Sequence, residues 1–320
     1  MAAYYTGSVT SFAALLTALQ SACTDNGWVL DSGILSKGAA FVKLATVTHG
    51  ITVQGGTSQS GATLNGASPQ TPRLGKIHNS LGAQAVWPMT YHIHLGTAPE
   101  EVYCIVRHNV DYFWWLAFGV SDVVGLPGTG LWLGANAKLA PETYTGGAFT
   151  NGGVWMNSAG SGGDTYQGGV TATGALFWKT NNINAANSQN TVHSNLDGNA
   201  WADTATDSSV TAAGRLQAPI FIQQLLDRSP SAWNNEAVLL PIQAYLTRAS
   251  SKASLVVDLR HARYVRVDNY DPEQIITLGP DRWKVYPFYR KNVARRDGQV
   301  GGGLIDDTGT FGWAIRYDGP

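Results

Sequence analysis

The chain has 320 residues, a formal net charge of −1 and only 13% charged residues. The near-neutral charge argues against a nucleic-acid coat or a polybasic membrane anchor, and no apolar run is long enough to span a bilayer. With 37 glycines and 11 tryptophans, the composition favours a β-rich protein that buries large aromatic side chains against its neighbours.

The first clear element is an amphipathic helix near the amino terminus. Thr10 or Ser11 can cap it by accepting a backbone N–H, and Asn26-Gly27 can end it because both residues tolerate a left-handed conformation. Apolar residues lie between these ends at helical spacing: Phe12, Leu15, Leu16, Leu19 and Cys23. Cys23 and Cys104 are too few for a disulfide framework, which favours synthesis in a reducing cytosol.

Short strands are predicted at residues 28–30, 41–46, 51–54 and 89–95, with a Gly/Ser/Thr-rich loop over residues 55–66. The clearest strand pattern covers residues 102–112. Alternate side chains starting at Val102 are mainly apolar, and those starting at Tyr103 are mainly polar, which predicts one buried face. Aromatic residues 113–115 continue this strand.

Residues 125–199 are rich in Gly, Ala, Asn, Thr and Ser and carry few charges. Disordered segments have few aromatic residues, so the tryptophans of this region predict long but ordered loops that neighbouring subunits hold in place. Aromatic residues often dominate interfaces. We therefore expect four tryptophans to be interface residues: Trp132, Trp155, Trp178 and Trp201.

Beyond this region, a second helix is predicted at residues 220–226, ending before Pro230, followed by strands at 237–247, 255–268, 275–278, 283–289 and 311–316. The predicted fold is mainly β and β-sandwich-like, with one amphipathic helix near the amino terminus. A small α+β unit over residues 1–125 would pack on a larger β-rich region over residues 126–320.

His92 and His94 are the strongest candidates for a metal site. They lie two apart on a predicted strand and so face the same way, and His78 or His108 could add a further ligand. No cysteine or carboxylate cluster lies near the pair in sequence, so a polar strand face is the favoured interpretation, and no metal or other cofactor is predicted.

Glu100 and Glu101 are the only adjacent glutamates. A glycosidase needs two carboxylates facing one cleft, whereas adjacent side chains on a strand face opposite sides. Because the pair follows Pro99, a solvated turn is predicted. The chain also lacks a P-loop, a GxSxG motif and a Ser/His/Asp set, so it is predicted not to be an enzyme.

Basic residues are concentrated near the carboxyl end, where acidic residues interleave with them. Arginine can make bidentate pairs with carboxylates, either within its own sheet or on a neighbouring subunit. Four arginines are therefore candidate interface residues: Arg260, Arg263, Arg266 and Arg290. Contact with DNA would prefer an uncompensated basic stripe, so we expect it only if the chain lines a DNA-conducting channel.

Several stretches of the sequence resemble virion structural proteins of tailed bacteriophages and related prophages. The resemblance covers YYTGSVTSFAALLTALQSACTDNGW, WPMTYHIHLGTAPEEVYCIVRHNVDYFWWLAFG, LRHARYVRVDNYDPEQIITLGPDRWKVYPFYRK and GTFGWAIRYDGP. It leaves the Gly/Asn-rich middle unmatched and assigns no functional residues.

The resemblance implies a structural subunit of the tail, baseplate or neck, in a symmetric assembly within the virion after synthesis in the host bacterial cytoplasm. Its partners would be copies of itself and other phage structural proteins. The alternative is a host-attachment appendage that binds or cleaves surface carbohydrate, since exposed Trp and Tyr rings can stack on sugars.

Overall fold

A computed structural model describes residues 3–75, 85–110, 112–138, 176–177, 190–204, 214–217, 238–267, 270–288, 291 and 311–320. These segments contain one helix and twenty-one strands. The strands form sheets of thirteen, six and two strands. The predicted mainly-β fold with one helix near the amino terminus is therefore confirmed.

The thirteen-stranded sheet contains strands from both ends of the chain. Its first part has the spatial order β1 (Ala3–Val9), β9 (Met89–Gly96), β10 (Glu101–Asn109), β11 (Tyr112–Val120) and β12 (Leu131–Ala135). Its second part continues with β14 (Asn190–Leu196), β15 (Asn199–Thr204), β16 (Arg215–Gln217), β17 (Leu240–Arg248), β18 (Lys252–Arg266), β21 (Phe311–Arg316), β20 (Asp281–Pro287) and β19 (Ile275–Leu278). Because β11 pairs with β12, the sheet continues across the boundary suggested at residues 125/126.

The six-stranded sheet has the order β13 (Ala137–Lys138), β8 (Pro72–Gly75), β5 (Gly50–Gly56), β4 (Ala40–Val47), β3 (Ile34–Lys37) and β2 (Val29–Asp31). A separate hairpin pairs β6 (Ser58–Ser60) with β7 (Thr63–Asn65). It lies in the segment predicted as a loop, and Gly61, with φ +56°, sits in its turn. The loop prediction is therefore wrong for this hairpin. Its short polar strands have no apolar periodicity, so the sequence does not reveal them.

The predicted amino-terminal helix is confirmed as α1 (Phe12–Asp25). The Ser11 side chain accepts a hydrogen bond from the backbone N–H of Ala14 at 3.1 Å, as an N-cap should. Gly27 follows the helix with φ +81°. The buried face of α1 includes Leu15 and Leu19 and packs in one cluster with the six-stranded sheet and one face of β9–β12. In the described segments, no helix is long and apolar enough to cross a membrane.

The opposite face of β10–β12 is also buried, because it packs against the carboxyl-terminal strands. Tyr103 and Ile105 are fully buried and share a cluster with Trp115, Trp132 and Trp313. The prediction of a strand with one polar face is therefore wrong, since two layers cover it. The strand is also not continuous over residues 102–115, because β10 ends at Asn109 and β11 begins at Tyr112 to form a hairpin.

Three of the predicted interface residues lie outside the described residues, namely Trp155, Trp178 and Arg290, as does the predicted helix at 220–226. Cys23 and Cys104 are buried and free.

Candidate functional site

His92 and His94 lie in a buried polar cluster that joins the first strands of the large sheet to its last strands. We call it the histidine cluster, and its side chains are those of Tyr4, His92, His94, Arg107, Glu273, Lys284 and Tyr286. They come from β1, β9, β10, the segment before β19, and β20. His92 and His94 are each 2% exposed, so their ring nitrogens depend on protein partners.

His92 faces Tyr4 with Nδ1 and Glu273 with Nε2. Lys284 Nζ donates to Tyr4 Oη at 3.0 Å, and Tyr4 Oη lies 2.7 Å from His92 Nδ1, which also lies 3.4 Å from the hydroxyl of Thr6. His92 Nε2 lies 3.3 Å from Glu273 Oε2. Because a carboxylate can only accept, a neutral His92 ring carries its proton on Nε2.

The charges around His92 favour its neutral form. Burial lowers the pKa of His92 below its usual value, Lys284 and Arg107 lower it further, and only Glu273 opposes them. Arg107 NH1 lies 2.8 Å from Glu273 Oε1. Burial acts to raise the pKa of Glu273, but its contacts with His92, Arg107 and Lys284 together hold it below its usual value.

His94 has no charged partner among its hydrogen bonds. Its Nε2 lies 2.8 Å from Tyr286 Oη, and its Nδ1 lies 3.2 Å from the carbonyl oxygen of Arg316. Burial lowers the pKa of His94 to about 3. His94 is therefore neutral at any pH near neutrality, and its ring connects β9 to β20 and β21.

The described segments contain no group of three His, Cys, Asp or Glu side chains placed to hold a metal ion. Of the two further ligands considered from the sequence, His108 stacks on Trp114 with ring centroids 3.7 Å apart, and His78 lies outside the described residues. The nitrogens of His92 and His94 face tyrosine, glutamate and backbone groups instead. Absence of a metal stays a prediction.

A second buried polar site surrounds Glu101. The predicted solvated turn is wrong for this residue, because Glu101 is 0% exposed. It faces a bulge in β18, where the ladder with β17 passes from Gln243↔Asp258 directly to Pro241↔Arg263. Residues 259–262 have no partner on β17 in this ladder, so some of their backbone groups need other partners. Glu100, which precedes Glu101 in the chain, forms an ion pair with Lys37 at 2.9 Å.

Two side chains satisfy the backbone of this bulge. Glu101 Oε1 accepts from the N–H of Arg260 at 2.8 Å, and Glu101 Oε2 accepts from the N–H of His261 at 2.9 Å. Arg263 NH1 donates to the carbonyl oxygens of Leu259 at 2.6 Å and Ala262 at 2.7 Å. Glu101, Tyr103, Arg263 and residues 259–262 together form what we call the bulge site.

Burial raises the pKa of Glu101 to about 7. Three hydrogen bonds act in the opposite direction, from the Tyr103 hydroxyl at 2.6 Å and from the two N–H groups of the bulge, and the Arg263 charge adds to them. A carboxyl group with such a pKa resembles a general acid or base. Its oxygens, however, are occupied by groups of its own chain, so its arrangement serves strand packing.

The predicted interface residues fall in different places. Trp132 is fully buried in the core, so the prediction that it contacts a neighbour is wrong. Trp201 is half-buried, and its Nε1 donates to the carbonyl oxygen of Gly66 at 2.9 Å. The Arg263 guanidinium serves the bulge site. Arg266 is half-buried on β18, where its register partner is Phe311 of β21.

Arg260 is the most exposed of these arginines, with a side chain that is 49% exposed. It forms ion pairs with Asp122 at 2.9 Å and with Asp258 at 3.0 Å. Arg260 therefore pairs with carboxylates of its own chain, and its contact with a neighbouring subunit stays a prediction. The structure brings Arg260 and Arg263 together at the bulge of β18.

A polar cleft of about 530 Å³ lies between the turns at residues 196–199 and 248–252. Arg248 crosses it to Asp197, with Nε 2.8 Å from Oδ2. None of the described residues that line this cleft is aromatic. Most tryptophans of the described segments are buried, namely Trp28, Trp114, Trp115, Trp132, Trp283 and Trp313. These rings are core residues and are not placed to stack on a sugar.

The sheets end in strands with exposed apolar side chains. β19 is the last strand of the thirteen-stranded sheet, where Ile275 is 41% and Leu278 is 38% exposed. β2 is the last strand of the six-stranded sheet, where Val29 is 61% and Leu30 is 40% exposed. All four residues of β19 are uncharged.

No family model and no curated protein matches this chain.

Proposed function

We propose that this chain is a structural subunit of a tailed-phage virion, in the tail, baseplate or neck, and that it acts by binding copies of itself and other structural proteins. The resemblance of its terminal sequence blocks to such proteins supports the phage assignment. The uncharged exposed edge of β19 is the observation that supports assembly. In this proposal the protein is not an enzyme and is located in the virion.

An exposed sheet edge presents unpaired N–H and C=O groups that can pair with another chain. Proteins usually protect such edges with charged residues, proline, a bulge or a very short strand. β19 has only four residues, but none of them is charged or proline, its pairing with β20 has no bulge, and Ile275 and Leu278 are exposed beside the edge. These features suit a strand that another subunit covers in an assembly.

The buried polar groups support the same proposal. His92, His94 and Glu101 each direct polar atoms at groups of their own chain. The shortest contact is 2.7 Å from His92 to Tyr4, 2.8 Å from His94 to Tyr286 and 2.6 Å from Glu101 to the Tyr103 hydroxyl. A catalytic group needs an atom directed at a substrate, and these three residues direct their atoms at neighbouring strands.

Mass spectrometry of particles purified from the organism that encodes the chain tests the assignment to the virion. The proposal expects the protein in intact particles, at a copy number that is a multiple of the symmetry of one ring. Its absence from mature particles would contradict the proposal.

The role of the edge can be tested by placing a charge on it. Thr277→Lys puts a charge at an exposed position of β19, and Thr277→Ser is the matched control. We expect the lysine variant to lose self-association in sedimentation experiments while both variants keep the wild-type melting temperature. Self-association that survives the lysine would exclude β19 as the contact.

The alternative function, attachment to host carbohydrate, has no specific support among the described side chains. Binding of the purified protein to host polysaccharide would favour it over the assembly proposal. Contact with DNA has equally little support near Arg260, because Asp122 and Asp258 neutralise this arginine.

A further inference from the structure

We propose that β19 of one copy of this chain pairs with β1 of the next copy, so that the thirteen-stranded sheets of neighbouring subunits join head to tail around a ring. This inference rests on the proposed function and deepens it, because it names the surface of a second copy that covers the β19 edge. It also makes the contact one between two unlike surfaces.

Strand β1 is the other end of the sheet that ends in β19. On one side β1 pairs with β9, from Ala3↔Leu95 to Val9↔Met89, just as β19 pairs on one side with β20. On the other side, neither strand forms a backbone hydrogen bond with any described segment. Both strands therefore present N–H and C=O groups with which a further strand can pair.

The charges of the end strands distinguish this sheet from the six-stranded sheet. Neither β1 nor β19 contains a charged residue or a proline. Each end strand of the six-stranded sheet contains a charged residue, Lys138 in β13 and Asp31 in β2. Asp31 Oδ2 also accepts from Gln59 Nε2 of the β6–β7 hairpin at 2.8 Å. Because a charge on an edge strand opposes pairing with another chain, the thirteen-stranded sheet lacks this protection at both of its ends.

The two edges are compatible in length and in access. The four residues of β19 extend over about 14 Å and the seven of β1 over about 24 Å, so the whole of β19 fits along β1. The carboxyl-terminal segment contacts β1 near its start, where the ring of Tyr317 lies 4.8 Å from that of Tyr4. Further along β1, Thr6 and Ser8 are exposed. Pairing over four residues would form about four backbone hydrogen bonds.

Pairing of unlike ends is the arrangement that covers both edges of every subunit. Two copies joined through β19 alone, or through β1 alone, form a closed pair with two-fold symmetry, which leaves the other end of each sheet exposed. A contact between β19 and β1 uses both ends and repeats from copy to copy until a ring closes. Since neither strand is charged, no repulsion between their side chains opposes it. The partner at each edge is therefore a second copy of this chain, as a symmetric array requires.

Two lysine variants of the full chain test the head-to-tail contact. Thr6→Lys places a charge on β1 and leaves β19 intact, whereas Thr277→Lys places a charge on β19 and leaves β1 intact. The matched controls are Thr277→Ser and Thr6→Ser, which keeps the hydroxyl that donates to the carbonyl oxygen of Tyr91 at 2.8 Å. In sedimentation experiments we expect assemblies larger than a dimer for the wild type and both serine variants. Each lysine variant alone should be monomeric at the same concentration.

An equimolar mixture of the two lysine variants should form mixed dimers and nothing larger, because each such pair has one intact β19 and one intact β1. Dimers of Thr6→Lys alone would mean that β19 pairs with β19, and dimers of Thr277→Lys alone would mean that β1 pairs with β1. Either result would overturn the proposal, as would a wild type that stays monomeric or a mixture that stays monomeric where the wild type associates. If Thr6→Lys lowers the melting temperature, Ser8→Lys takes its place.

Thiol cross-linking locates the same contact independently. Cys23 and Cys104 are buried, so an introduced exposed cysteine is the thiol that a bifunctional maleimide reaches. Ser8→Cys mixed with isotope-labelled Thr277→Cys should give mainly mixed dimers by mass spectrometry. A majority of dimers of either variant with itself would contradict the proposal. If the protein is present in purified particles while this cross-link fails, the head-to-tail contact is wrong and the virion assignment is not.

Discussion

The bulge site and the histidine cluster both bury polar groups between strands that are distant in sequence, but the hydrogen-bond partners of these groups differ in kind. At the bulge site, the Glu101 side chain accepts from backbone N–H groups 159 and 160 residues away in sequence. In the histidine cluster, side chains mainly contact side chains, apart from His94 Nδ1 at the carbonyl oxygen of Arg316, and Arg107 at its border is 40% exposed. Backbone groups cannot rearrange away from a lost partner, whereas side chains can turn towards water. The bulge site should therefore be the more sensitive of the two to mutation.

The largest effect is expected for Glu101→Ala. The substitution leaves the N–H groups of Arg260 and His261 and the hydroxyl of Tyr103 without their acceptor in a buried place. Each unsatisfied buried group costs roughly 1–3 kcal/mol, so we expect a loss of about 4 kcal/mol in the free energy of unfolding, measured by denaturant titration. Glu101→Gln, which keeps one acceptor oxygen, should lose less. Equal stability of wild type and Glu101→Ala would contradict the role of this carboxyl group.

A pH titration of stability should distinguish the two sites. Burial raises the pKa of Glu101 from 4.5 to about 7, so its favourable contribution is present below pH 4.5 and is lost as the pH rises to about 7. Since each pKa unit corresponds to about 1.4 kcal/mol, wild type should lose up to about 3 kcal/mol relative to Glu101→Gln across this range. His92 acts in the opposite direction, because its contribution is lost as the pH falls. A difference between the two proteins that does not change with pH would exclude this linkage.

A smaller effect is expected for Tyr4→Phe in the histidine cluster. The variant removes one hydroxyl and with it the hydrogen bonds to His92 and Lys284. Because Arg107 and Glu273 at the border of the cluster are partly exposed, we expect a loss of about 1 kcal/mol in the free energy of unfolding at pH 7. A loss as large as that of Glu101→Ala would show that the two sites do not differ as described.

The smallest effect is expected for Arg260→Ala. Its ion pairs with Asp122 and Asp258 lie at the surface, where such pairs contribute less than about 1 kcal/mol. We expect the melting temperature to change little, and the small change to disappear at high salt. If the isolated protein keeps its stability but particles fail to assemble, Arg260 contacts a neighbour in the virion in addition to its own carboxylates.

The elements that the sequence predicts well are those with local patterns. α1 has a cap, an apolar face and a glycine at its end, and the strands at 275–278 and 311–316 have the predicted bounds. Tyr103 and Ile105 were expected on a polar face because a single strand does not reveal a second layer that covers it. That layer comes from strands more than a hundred residues later in the chain.

The two polar sites were beyond sequence patterns for the same reason. The sequence shows His92 and His94 as a pair on one strand, but the side chains around His92, those of Tyr4, Glu273 and Lys284, lie 88 to 192 residues away from it in the chain. The sequence predicts Glu101 as a turn residue because its buried position depends on a bulge in β18, and the six residues from Asp258 to Arg263 carry no local signal for that bulge. Sequence periodicity describes which face a residue is on and not which distant backbone it meets.

Cryo-microscopy of purified particles tests the proposed function most directly. We expect density for this chain in the tail, baseplate or neck, repeated around a symmetry axis, with the β19 edge covered by another subunit. Particles without the protein, or with single copies whose β19 edge faces solvent, would contradict it.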